Sequence, residues 1–119
     1  MSLGTQIMLV LTLAMLALHL VSATALRRGW VSALALLRAE AAYYVALIAF
    51  AALYEMRPLL IAAAVLGGLH LSAWIASERR RDQLRGTPTS KTLFAVQIFD
   101  SLEAVALAVI AAVLWRGTL

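Results

Sequence analysis

The chain has 119 residues, of which 64% are hydrophobic and 13% charged, with a mean hydropathy of +0.93 and a formal net charge of +4. A soluble domain is typically about 45–50% apolar and about 25% charged, and one this small keeps too much surface to hide such an excess of Ala, Leu and Val. The composition therefore points to an integral membrane protein, and the absence of cysteine removes disulfides, thiolate metal sites, Fe–S clusters and cysteine nucleophiles.

Four apolar segments follow one another, each near the roughly 20 residues a helix needs to cross hydrocarbon. The first covers residues 5–26 and ends at Arg27-Arg28-Gly29. Ala23-Thr24-Ala25 resembles a signal-peptide cleavage site, but no basic residue precedes the apolar run, and the sequence begins at Met1. The first span is therefore expected to be permanent. The second covers 30–54, and the third starts at Pro58, a residue suited to the first turn of a helix, and runs to 77. A polar stretch from Glu78 to Lys91 carries the loop signal Gly86-Thr87-Pro88, and the fourth span covers 92–115. All four are predicted helices, because a backbone in lipid must satisfy its own hydrogen bonds.

Orientation follows from the basic residues. Arg27, Arg28, Arg79, Arg80, Arg81, Arg85 and Lys91 share one side, against Arg57 and Arg116 on the other. By the positive-inside rule both termini lie outside and the loops 27–29 and 78–91 are cytoplasmic, the plasma membrane being the expected location. Basic charge beside membrane spans, with no basic soluble module, argues against nucleic-acid binding. The expected partners are the lipid bilayer and other membrane subunits, or further copies of the chain.

An internal repeat is legible. Leu16-Ala17-Leu18-His19-Leu20 and Gly67-Gly68-Leu69-His70-Leu71 each lead into an arginine cluster, and Glu40-Ala41 and Glu103-Ala104 each open the stretch that ends at a distal arginine. The predicted fold is thus all-α: a four-helix membrane bundle of two tandem hairpins, residues 1–56 and 57–119, in a parallel repeat. At 1.5 Å per residue, His70 lies about 20 Å from Arg57, His19 about 21 Å from Thr5, Glu40 about 25 Å from Arg57 and Glu103 about 20 Å from Arg116. The four polar residues fall within roughly 5 Å of one depth, by the same rise.

His19 and His70 are accordingly candidate ligands. One reading is a pair of axial imidazoles holding a b-type haem, with Gly67 making room for the macrocycle; others are a different metal, a proton-handling role, or interhelical hydrogen bonds. On the fourth span Gln97, Asp100, Ser101, Ala104 and Ala108 form one polar face, with Glu103 one turn beyond Asp100. Arg38, the one basic residue inside a span, is expected to pair with one of these acids, and its position two residues from Glu40 sends the two to opposite helix faces. Arg38, Glu40, Asp100 and Glu103 thus form a candidate relay or buried ion pair.

No Walker loop, nucleophile elbow, HExxH or dinucleotide fingerprint occurs. With hardly any soluble portion the chain is not expected to be a stand-alone enzyme. The leading reading is a small subunit of a larger membrane assembly, respiratory or redox in character, with an intramembrane His/carboxylate site and a possible electron-transfer role. The rivals are a cation or proton transporter using the buried acids, and a purely structural accessory subunit.

Overall fold

Uninterrupted Ala/Leu runs, with proline only at a helix start, leave the backbone one economical solution. The computed structural model describes residues 1–84 and 86–117. It consists of α1 (Leu3–Arg28), α2 (Trp30–Leu53), α3 (Arg57–Arg79), a short 3₁₀ turn (Arg81–Gln83) and α4 (Ser90–Arg116). All four α-helices are long and apolar enough to cross a membrane. Of the residues named above, Arg85 lies outside the described residues, as do residues 118–119 of the second hairpin.

The helices begin and end where local chemistry dictates. Ser2 and Thr89 cap α1 and α4, each accepting from the backbone N–H three residues on, which carries both helices slightly beyond the expected spans. Pro58 sits in the first turn of α3. A single residue, Gly29, separates α1 from α2. Its φ of 143° and ψ of 158° lie in a region essentially reserved for glycine, and its N–H reaches back to the carbonyls of Ala25 and Leu26. The 3₁₀ turn in the connection after α3 was not foreseen; Gln83 and Leu84 there bond back to the Arg80 carbonyl.

Around the bundle the order is α4, α1, α2, α3. The α1–α2, α2–α3 and α1–α4 pairs pack closely, whereas α3 and α4 have hardly any close backbone approach among the described residues. The buried positions of α1 are Met8, Thr12, Met15, His19, Ser22 and Leu26, steps of four and three that make a coiled-coil-like seam. α3 contributes Leu59, Ala63, Gly67 and His70, and α4 contributes Glu103, Leu107, Ile110 and Leu114. Large apolar side chains such as Leu20, Leu53 and Leu102 point outward, while Thr12, His19, Glu40, His70 and Glu103 are buried. This inside-out distribution suits a hydrocarbon surround better than water.

Candidate metal centre

Each helix delivers one ionisable side chain to the same point on the bundle axis. His19 comes from α1, Glu40 from α2, His70 from α3 and Glu103 from α4, and one ligand atom from each lies within 4.8 Å of the other three. The residues are 4%, 8%, 3% and 3% exposed, respectively. The two histidines are diagonal, as are the two glutamates, so every neighbouring pair is an imidazole beside a carboxylate. His19 Nε2 lies 2.8 Å from Glu103 Oε2 and 3.5 Å from Glu40 Oε1; His70 Nε2 lies 2.7 Å from Glu103 Oε1 and 3.3 Å from Glu40 Oε2.

The backbone sets which imidazole nitrogen faces inward. His19 Nδ1 is 2.9 Å from the Met15 carbonyl oxygen and His70 Nδ1 is 2.8 Å from that of Leu66. A carbonyl oxygen only accepts, so both Nδ1 atoms carry hydrogen and donate. Each ring is thereby pinned one turn back on its own helix, with Nε2 aimed at the cluster. This is the tautomer and orientation in which a histidine binds a metal through Nε2.

A second layer holds the carboxylates and rings. The Tyr44 hydroxyl donates to Glu103 Oε1 at 2.5 Å, and its ring stacks on His70 with centroids 4.6 Å apart. Thr12 donates to the Met8 carbonyl, so at 2.8 Å the Tyr43 hydroxyl is left to donate to Thr12 Oγ1. One rung toward the α1–α2 turn, the Ser22 hydroxyl lies between the His19 carbonyl oxygen at 2.8 Å and Asp100 Oδ2 at 2.5 Å.

Two buried atoms, His19 Nε2 and Glu103 Oε2, make no hydrogen bond of acceptable geometry. With Nδ1 carrying hydrogen, Nε2 of a neutral His19 presents a lone pair to a carboxylate oxygen that is itself an acceptor. Two acceptors 2.8 Å apart need a positive charge between them, either a proton or a cation. The donor set fits a metal ion. Imidazole nitrogen and carboxylate oxygen are ordinary ligands of a zinc-type ion, one ligand atom from each of the four residues lies within 4.8 Å of the other three, and each carboxylate reaches His19 with one oxygen and His70 with the other.

The remaining expected site residues lie elsewhere. Gly67 faces α2, where a Cβ would meet Ile48 Cδ1 at 3.1 Å and Tyr44 Cβ at 3.2 Å; it lets α3 approach the helix that carries Tyr44. Arg38 turns away from Glu40 and pairs neither with Asp100 nor with Glu103. Its partner is Glu78, whose Oε1 accepts from Arg38 Nε at 2.6 Å and from Trp74 Nε1 at 3.0 Å. Glu78, placed by sequence in the polar loop, belongs instead to the last turn of α3. The expected polar face of α4 is also rotated: Ser101 is exposed and bonds to the Gln97 carbonyl, while Glu103, Leu107 and Ile110 form the inner face. Thr12 lies seven residues before His19 on the same polar line of α1, whereas the supporting roles of Tyr43 and Tyr44 are not evident from the sequence pattern. The signal available was a Tyr-Tyr pair in mid-span, too deep to be an interfacial anchor.

A cavity of about 270 Å³ adjoins the cluster, with Glu40, His70, Asp100 and Glu103 at its inner end and Trp30, Ala33, Ala73 and Val96 along its walls. No protein-family model, curated protein or solved structure matches this chain. Its function is argued from this geometry.

Proposed function

We propose that the chain is an integral membrane subunit whose four helices hold one divalent transition-metal ion of the zinc type, bound by His19, Glu40, His70 and Glu103. The observation that carries this reading is the commitment of both Nδ1 atoms to backbone carbonyls, which in neutral rings turns both Nε2 atoms, as acceptors, toward two carboxylates. The charge count agrees: two neutral imidazoles, two carboxylates and one divalent cation sum to zero, which is what a hydrocarbon interior demands. Imidazole and carboxylate together suit borderline ions such as Zn²⁺, Fe²⁺ and Co²⁺; a soft Cu⁺ would favour thiolate or thioether, and Mg²⁺ or Ca²⁺ would favour oxygen alone.

A bare ion fits better than a b-type haem. A porphyrin between the imidazoles would need the space that Glu40 and Glu103 fill, since both carboxylates lie within 3.5 Å of both Nε2 atoms. Four protein ligands leave no open coordination position, so the ion is structural or carried rather than catalytic. Cation transport is the second reading, favoured by the cavity that reaches the cluster from one end.

The test is equilibrium dialysis of the purified full-length protein in detergent against Zn²⁺, followed by elemental analysis. One Zn²⁺ per chain is expected, reduced below a tenth by His19→Ala or His70→Ala. Co²⁺ substitution should give the intense visible bands of a tetrahedral centre. A Soret band with no bound Zn²⁺ would reverse the choice between ion and haem.

A further inference from the structure

The two halves of the bundle differ on either side of the cluster. Beyond it, toward the α2–α3 turn, the axis is filled by Thr12, Tyr44, Leu47, Ala63 and Leu107, each 0% exposed. A separate cavity of about 250 Å³ lies at that far end, lined by Thr5, Phe50, Tyr54, Met56, Leu114 and Gly117, and it includes none of the four cluster residues. Phe50 is ten residues from Glu40, about 15 Å of helix. Toward the α1–α2 turn the reverse holds. The 270 Å³ cavity touches Glu40, His70 and Glu103 directly and extends to Leu26, Ala33 and Trp30, about 10–15 Å further along the helices. It lies where α3 and α4 fail to close on each other.

Within that cavity one acid is not part of the four-residue cluster. Asp100 is one turn from Glu103, and Ser22 is one turn from His19, so the Ser22–Asp100 hydrogen bond forms the next rung below the cluster, roughly 4.5 Å along the axis. Asp100 is half-buried and has no basic partner among the described salt bridges. An intramembrane carboxylate without a counter-ion is costly and calls for a functional reason.

We infer that the centre exchanges its ion through one end only, by way of the cavity below it, and that Asp100, positioned by Ser22, is the transit ligand that holds the ion before it enters the four-residue cluster. This rests on the metal reading above. The apolar walls explain the need for Asp100: without it a partly dehydrated cation would pass Leu26, Leu36, Ala73 and Val96 with nothing to replace its lost water. A transit ligand stabilises the ion on the way in and on the way out alike. It therefore changes loading and release rates together and leaves the equilibrium constant nearly alone, which neither a metal ligand nor a purely structural residue would do.

The experiment follows Zn²⁺ loading and chelator-driven release by stopped flow on the full chain in detergent micelles. Asp100→Asn, which preserves shape, should slow both rates about tenfold or more, in line with the effect of charge focusing in a cleft, with Kd shifted by less than threefold. Ser22→Ala should produce a smaller change of the same kind. Ala73→Phe, which fills the cavity from α3, should slow both rates, while Thr5→Trp in the far cavity should slow neither. Wild-type rates in Asp100→Asn and Ala73→Phe, with one Zn²⁺ still bound, would overturn this inference alone, as would slowing by Thr5→Trp. Absence of stoichiometric Zn²⁺ in the wild type would overturn the metal reading and this inference with it.

Discussion

Tyr44→Phe isolates the support of the cluster from the cluster itself. The substitution removes one oxygen and keeps the ring, so the stack on His70 at 4.6 Å and the edge contact with Tyr43 at 5.0 Å survive. What disappears is the 2.5 Å hydrogen bond to Glu103 Oε1. That bond leaves Oε2, the oxygen nearer His19, as the one free to bind an ion. Partners of this kind typically contribute 10–100-fold to metal affinity, about 1.4–2.7 kcal/mol, and a hydrogen bond to a charged group is independently worth about 1.5–3 kcal/mol. Zn²⁺ affinity measured by competition with a chromophoric chelator should therefore fall by about 10–100-fold. Tyr43→Phe is the control, because its hydroxyl donates to Thr12 and not to a cluster residue; its affinity should stay near wild type. If Tyr44→Phe binds Zn²⁺ within twofold of wild type, Glu103 is not a ligand held in place by Tyr44, and the assignment of the second layer fails.

Further outcomes follow from other contacts. Gly67→Ala should lower thermal stability in detergent by about 1–3 kcal/mol, as overpacking does, because its Cβ would meet Ile48 and Tyr44 at 3.1 and 3.2 Å; Gly68→Ala, with no atom within 4 Å, should be silent in the same melting assay. Arg38→Ala removes a pair whose side chains are 45% and 30% exposed, so it should cost under about 1 kcal/mol and leave Zn²⁺ affinity unchanged in dialysis. Zn²⁺ binding should weaken as pH is lowered, because protons compete for His19 and His70 Nε2; a titration flat between pH 8 and 5 would speak against imidazole ligands. Because the chain has no native cysteine, single cysteines at Glu55 and Thr87 can be labelled cleanly in intact cells. Reagent confined to the outside should reach Glu55 and not Thr87, and the opposite pattern would invert the topology.

Helix existence and extent were legible in the sequence because an uninterrupted apolar run of membrane length admits little else. The shared level of His19, Glu40, His70 and Glu103 was legible too, since rise per residue is fixed once the helix ends are known. Rotation about each axis was not. In α4 both faces are apolar, and the stripe through Gln97, Asp100 and Ser101 had the right spacing for an inner face although Glu103 and Leu107 occupy it. What decides rotation is the cost of leaving Glu103 on the apolar outer surface of the bundle against that of leaving Ser101 there, and a serine satisfies itself on its own helix, as the Ser101–Gln97 bond illustrates. Arg38 was misassigned for a related reason: Glu78 was read as loop, and it is the continuation of α3 through Arg79 that brings it within reach.

The one-residue turn at Gly29 acts as a ruler for the first hairpin. His19 lies ten residues before it and Glu40 eleven after, so the two arms measure about 15 and 16.5 Å and the imidazole meets the carboxylate without any adjustment by the turn. No slack exists there to absorb an error. An inserted residue on either arm would rotate its helix by roughly 100° and turn His19 or Glu40 away from the bundle axis. The connection between α3 and α4 has ten residues, 80–89, in which to take up such a change. The two hairpins thus differ in tolerance although they contribute equivalent side chains: the first is fixed by its own covalent geometry, and the second must be brought into register by what it closes around.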